Sequence, residues 1–172
     1  MRRERRRLLS ATGALMLYAV VAPRAGAAGA AAEVEIVMSG TPTGSEVWFR
    51  PRGLLIAPGQ SVRWTNRQTG NVHTTTAYHP ANGKPLRIPD GAKPWNSNYL
   101  MPEQSFVVTF EIPGVYDYFC IPHEQAGMVG RIVVGHVDAA TRPYAATDSK
   151  LPAAALARLA DVASIVKAGR VE

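Results

Sequence analysis

Cys120, His123 and Met128 stand in the spacing Cys-x2-His-x4-Met, inside the run Tyr118-Phe119-Cys120-Ile121-Pro122-His123-Glu124-Gln125-Ala126-Gly127-Met128-Val129-Gly130. A loop can fold a thiolate, an imidazole and a thioether so close in the chain onto one point. A fourth donor must come from elsewhere, and His73, 47 residues before Cys120, is the candidate. Two imidazoles and one thiolate in a trigonal set, with a weak axial thioether, are the donors of a blue-copper electron-transfer site. The soft sulfurs suit Cu(I) and the imidazoles suit both oxidation states, so little needs to rearrange when an electron arrives. Alone, each residue would carry little weight. A lone cysteine in a β core is a small hydrophobe and a lone methionine is core filler. Their joint order and spacing point to one copper ion.

Other chemistries fit less well. A Cys120–His123 nucleophile would need an oxyanion loop and an orienting Asn or Asp, and would leave Met128 without a task. A structural zinc site is closed by Cys or His rather than by a thioether. A copper carrier or chaperone without an electron-transfer role is the remaining alternative. Carrier sites use several Met or Cys, and here Met38 and Met101 form no cluster with the single cysteine. His79 and His136 have no visible partner set and read as loop histidines. The chain is therefore read as a mobile or domain-level electron carrier and not as an enzyme.

The donors need rigid elements to hold them. From Glu33 onward, short apolar or alternating runs are separated by Gly and Pro. They predict strands over residues 34–38, 47–49, 54–57, 61–65, 73–78, 105–111, 115–120 and 130–135. Such a series predicts an all-β domain over 33–136, a Greek-key β-sandwich. Cys120 then ends one strand, and Met128 lies just ahead of the next. Between Tyr78 and Glu103 runs a long stretch with five prolines, three asparagines and two glycines. It reads either as a functional, partner-facing loop or as a cover for a sheet edge. Residues 137–172 form a C-terminal extension with a helix over about 152–168. Pro152 suits its first turn and Gly169 its stop. Leu156, Leu159, Ala163 and Val166 form an apolar stripe, which predicts packing on the sandwich or, as a second option, a partner-binding or swapped helix.

The ligand run resembles that of plastocyanins, and less closely that of pseudoazurins and archaeal halocyanins, within the cupredoxin family of type 1 copper proteins. Phe49, Pro51, Pro58-Gly59, Val62, Trp64 and Asn66 extend the resemblance back ahead of His73, so that it covers about residues 33–135. The resemblance implies a cupredoxin-like sandwich and copper ligation by His73, Cys120, His123 and Met128. It implies that His73 is the buried imidazole and His123 the exposed one, the electron port. Tyr116 matches the tyrosine at the corner before the cysteine strand, with a structural hydroxyl bond to backbone. Alternation puts Tyr116 and Tyr118 on the inner face with Cys120. Phe119 then points outward, where family members often carry an aromatic near a partner-docking surface. One position departs from the pattern. The residue after the first histidine is usually Asn, bridging the two ligand loops, and here it is Thr74.

The first thirty residues read as an address. Five arginines lie within Met1 to Arg7, Leu8 to Ala22 is almost wholly apolar, and Ala-x-Ala sites follow. This is the layout of a cleaved signal peptide. Arg5-Arg6-Arg7-Leu8-Leu9 resembles a twin-arginine signal. An apolar run of 15 residues, closed by Pro23 and Arg24, is short for a membrane span. Export to the periplasm or another extracytoplasmic space is the expectation, with no stable membrane span in the mature form. After cleavage at Ala27, 13 basic and 12 acidic residues remain. That near balance removes the case for nucleic-acid binding. The expected partners are redox proteins, one donor and one acceptor. The one cysteine, Cys120, has no intramolecular partner for a disulfide.

Overall fold

The computed structural model describes residues 32–138, 140 and 143–172. The segment read as a signal peptide lies outside the described residues. The alternating runs form strands β1 (Val34–Gly40), β2 (Val47–Arg50), β3 (Gly53–Ile56), β4 (Gln60–Asn66), β5 (Thr76–Ala77), β6 (Ser105–Phe110), β7 (Gly114–Phe119) and β8 (Val129–Val134). They make two sheets, in the orders β2-β1-β4-β6 and β5-β7-β8-β3, and a later strand extends the second sheet beyond β3. The chain crosses to the second sheet with β3 and returns with β4. β1 therefore pairs in parallel with β4, and β3 with β8, while the other pairs are antiparallel. The result is a two-layer β-sandwich of the expected class.

The period of two decides what fills the space between the layers. Ile36 and Met38 of β1, Val62 and Trp64 of β4, Tyr116 and Tyr118 of β7, and Ile132 and Val134 of β8 all point inward. Trp64 lies at the centre, its ring 5.3 Å from that of Tyr118 and 5.9 Å from that of Trp95. Burial of each such side chain contributes about 1.5–3 kcal/mol.

Every residue of β8 is buried, outer face included. The cover comes from the C-terminal segment. A single helix over about 152–168 was expected, but two short ones form, α1 (Ala153–Arg158) and α2 (Val162–Ala168). Leu159 leaves the helical region, and the Asp161 carboxylate restarts the helix by accepting from the Ser164 backbone N–H at 3.0 Å. The break rotates the apolar stripe. Ala155, Val162 and Ile165 are buried, while Leu156 is 39% exposed. After α2 the chain adds β9 (Arg170–Val171), antiparallel to β3, a strand too short to be read from its sequence.

The outward residues of β7 and β8 pair across the strands as Val115 with Val133, Asp117 with Arg131, and Phe119 with Val129. The two outer pairs sit in apolar clusters under the tail, with Ile165 and Val162 over one and Leu151 and Ala155 over the other. The middle pair is ionic. Asp117 accepts from Arg131 Nε at 2.6 Å and Nη2 at 2.9 Å, and from Arg87 Nε at 2.9 Å. Arg87 Nη1 reaches on to Asp148 at 2.9 Å, and Arg131 Nη1 donates to the Ala160 carbonyl at 2.9 Å. One carboxylate thus ties the long loop, the sheet and the tail together. The loop covers a sheet edge and also enters the core, with Ile88, Trp95 and Leu100 buried.

Removing Asp117 would leave the buried Arg131 guanidinium without a carboxylate and the buried Arg87 with Asp148 alone. Asp117→Ala is expected to lower stability by about 3–5 kcal/mol. Denaturant unfolding checks this, and a loss below about 1 kcal/mol, the range of exposed ion pairs, would contradict the structural role.

Candidate metal centre

β7 ends at Phe119, and Cys120 caps a short 3-10 turn, Ile121–Ala126. Gly127 closes the turn with a φ of 82°, and its backbone N–H donates to the Glu124 carbonyl at 2.9 Å. That conformation is costly for any residue with a Cβ. A Cβ here would also lie 3.0 Å from the Ala154 carbonyl oxygen of α1. The loop then bonds back on itself. Met128 N–H donates to the His123 carbonyl at 3.1 Å, and Cys120 N–H donates to the Met128 carbonyl at 3.0 Å. These bonds bring Cys120, His123 and Met128 to one end of the sandwich.

His73 arrives from the other side. A full strand over 73–78 was expected, but only Thr76–Ala77 pair with β7. His73 bridges Leu100 of the long loop instead, through bonds of 2.8 and 3.3 Å. Its Nδ1 lies 3.6 Å from Cys120 Sγ, and His123 Nδ1 lies 3.4 Å from the same sulfur. The donor atoms of His73, Cys120 and His123 all fall within 4.8 Å of one another. His73, Cys120 and Met128 are fully buried, and His123 is half-buried.

This burial sets the protonation of the free site. Desolvation, with the His123 charge second, pulls the His73 pKa down to about 4. Burial pushes the Cys120 thiol up to about 11, against the smaller opposing effect of the Thr74 and His123 hydrogen bonds. Burial also lowers the pKa of His123. At neutral pH the imidazoles are neutral and offer lone pairs, whereas the thiol keeps its proton until a cation displaces it. Two neutral nitrogens and one displaceable thiol fit a soft or borderline metal ion such as copper.

Thr74 joins the two ligand segments by a different route from an asparagine. Its backbone N–H donates to Cys120 Sγ at 3.3 Å, and its hydroxyl oxygen accepts from the Ile121 N–H at 2.9 Å. That hydroxyl also pairs with Thr76 Oγ1 at 3.0 Å. Tyr116 donates its hydroxyl to the Ile112 carbonyl at 2.6 Å and closes the corner before β7.

Phe119 requires a correction. It does point away from the sandwich interior, but it is only 2% exposed and presents no surface to a partner. The Tyr78 ring lies 4.6 Å from it, Lys84 Nζ stands 5.0 Å over its face, and Leu151 and Ala155 of the tail complete the cover. Lys84 also pairs with Glu124 of the ligand turn. His79 has a local task, as its Nδ1 accepts from the Ala81 N–H at 3.1 Å. Gln68 was not singled out from the sequence, yet its Oε1 lies 2.7 Å from His73 Nε2. Nothing in the Arg67–Val72 run distinguishes it from ordinary loop composition.

Residues 35–135 match the family model described as copper binding proteins, plastocyanin/azurin family. A chloroplastic plastocyanin from Physcomitrium patens is 36% identical over 90 residues, covering 50% of this chain and 49% of the relative. The chain thus matches about half the length of that plastocyanin. A putative pseudoazurin from Rhizobium leguminosarum bv. viciae is 34% identical over 139 residues, covering 80% of this chain and 83% of the relative. Among solved structures, a pseudoazurin from Sinorhizobium superposes with a TM-score of 0.56 at 24% identity, over 80% of this chain and 98% of that one. That likeness shows the shared fold. With the sandwich and the convergent His73, Cys120 and His123 described, these matches establish that the chain belongs to the plastocyanin/azurin family of copper-binding proteins.

Proposed function

We propose that the chain is an exported one-electron carrier that holds a single copper ion through His73, Cys120 and His123, with Met128 as a weak axial donor. The observation that carries this reading is the convergence of two neutral imidazoles and one thiol within 4.8 Å at a buried end of the sandwich. Copper bound there would supply the Cu(I)/Cu(II) couple. The protein's part is to keep the donors where they are in both states. The loop bonds from Cys120 and Met128, together with the Thr74 bridge, do so through the backbone, which moves less than free side chains.

Electrons must cross the protein surface somewhere. His123 is the one donor among the three that reaches solvent, and next to it Ile121 is 41% exposed and Pro122 is exposed. We assign the port for redox partners, donor and acceptor alike, to this edge. Copper delivery is the less favoured reading, because His73 and Cys120 are fully buried and an exchangeable site needs access. Two imidazoles, a thiol and a thioether are a donor set suited to electron transfer, and we read the chain as a carrier and not as an enzyme. Export is supported by the basic, apolar and Ala-x-Ala order of residues 1–30. No helix among the described residues is long and apolar enough to cross a membrane.

The test is a visible spectrum of the mature protein after Cu(II) addition and desalting. An intense thiolate-to-copper band that ascorbate bleaches reversibly is expected. A protein that holds copper only as colourless Cu(I) would favour delivery instead. Cys120→Ala should abolish the band while the far-ultraviolet circular dichroism stays that of a β-sandwich. A variant that stays blue would refute the thiolate assignment. Met128→Gln should retain copper and shift the reduction potential measured by voltammetry, and an unchanged potential would remove Met128 from the donor set.

A further inference from the structure

His73 presents Nδ1 to the sulfur side of the site, and something must hold its other nitrogen. Nε2 lies 2.7 Å from Gln68 Oε1, and Gln68 is only 5% exposed. The orientation of the Gln68 amide follows from its other contacts. Its Nε2 lies 2.9 Å from the Thr41 carbonyl oxygen, which can only accept. The nitrogen end must therefore face Thr41, and the oxygen end must face His73. Asn71 Nδ2 donates to the same oxygen at 3.3 Å. An amide oxygen cannot donate, so the hydrogen between Gln68 and His73 belongs to the imidazole Nε2. The neutral ring then keeps its lone pair on Nδ1, beside Cys120 Sγ.

The backbone around Gln68 is fixed as tightly. Its N–H donates to Asn66 Oδ1 at 2.9 Å, and Asn66 Nδ2 donates to the Asn71 and Leu100 carbonyls, both at 2.9 Å. Leu100 is the residue that bridges His73. Gly40, at the end of β1, provides the room. A Cβ there would lie 2.7 Å from the Gln68 amide oxygen and 2.8 Å from its nitrogen. The hairpin of β1 and β2 therefore approaches the site closely enough for the Thr41 carbonyl to orient an amide two contacts away from the sulfur.

We propose that Gln68 is the positioning residue that fixes the tautomer and ring angle of His73 and, through His73, tunes the reduction potential of the copper site. This inference rests on the proposed copper-carrier reading. A hydrogen bond accepted from Nε2–H makes the imidazole a stronger electron donor, which favours Cu(II) and lowers the potential. Gln68 acts through the ligand and touches no partner.

Two measurements decide it. Long-range proton–nitrogen correlation spectra of the metal-free protein report the His73 tautomer without any copper. The wild type should show hydrogen on Nε2, Gln68→Met should lose that preference, and Gln68→Glu, which keeps an acceptor oxygen in either charge state, should retain it. In the copper-loaded proteins, Gln68→Met should keep the visible band and have a higher potential than the wild type. Hydrogen on Nδ1 in the metal-free wild type would overturn the proposal, as would a potential in Gln68→Met that is unchanged or lower. Absence of the visible band from the wild type would instead refute the copper-carrier reading, and the metal-free spectra would still decide the role of Gln68.

Discussion

Keeping donor groups together in the absence of the ion they await is the constraint on which the structure turns. Buried imidazoles and a thiol lose water when they converge, and their contacts with one another do not repay that loss before a cation arrives. Other parts of the fold must supply it. The turn after β7 does so locally, with Cys120 and Met128 linked through backbone and Gly127 bending where a side chain would not fit. Thr74 does so across segments, one residue bonding both to the sulfur and to the backbone beyond it. A site assembled in this way needs little reorganisation on binding, and the same rigidity suits a centre that must serve two oxidation states.

The outer face of the second sheet extends that support. α1 packs against Gly127, and Lys84 of the long loop pairs with Glu124 beside His123. The Asp117 cluster holds tail and loop in place together. An ion cluster of this kind is not a cheap source of stability, since desolvation offsets much of the attraction. Its geometric demands are strict, however, and they define where the tail sits between the two apolar patches on either side.

The convergence of His73, Cys120 and His123 was legible from residue types and spacing. Cys120, His123 and Met128 lie in one short run, and His73 opens a segment that the sandwich returns to the same end. The strands followed from a period of two. The missing parts depend on approaches between distant segments. Alternation correctly turned Phe119 away from the interior, but no local pattern says that Leu151 and Ala155 come back to cover it. The tail helix was read as continuous because Leu156, Leu159, Ala163 and Val166 keep one apolar stripe between Pro152 and Gly169. Its break reflects the competing Asp161 cap and the Arg131 side chain, which takes the Ala160 carbonyl. Gln68 was invisible for a similar reason. Its importance lies in a hairpin carbonyl 27 residues earlier, and glutamine in a loop carries no signal of its own.

The covered Phe119 bears on how a carrier of this shape would work. On the proposed reading, with the flank beside Cys120 sealed by the tail, the half-exposed His123 would be the terminal at which charge enters or leaves. Donor and acceptor must then occupy the same few square nanometres in turn. Such a carrier would act as a shuttle rather than as a wire held between two docked proteins. Throughput is governed by how quickly each complex falls apart, so tight binding to either partner would be a handicap. Small, weak, short-lived interfaces of the kind found in redox encounters are what such a geometry selects for.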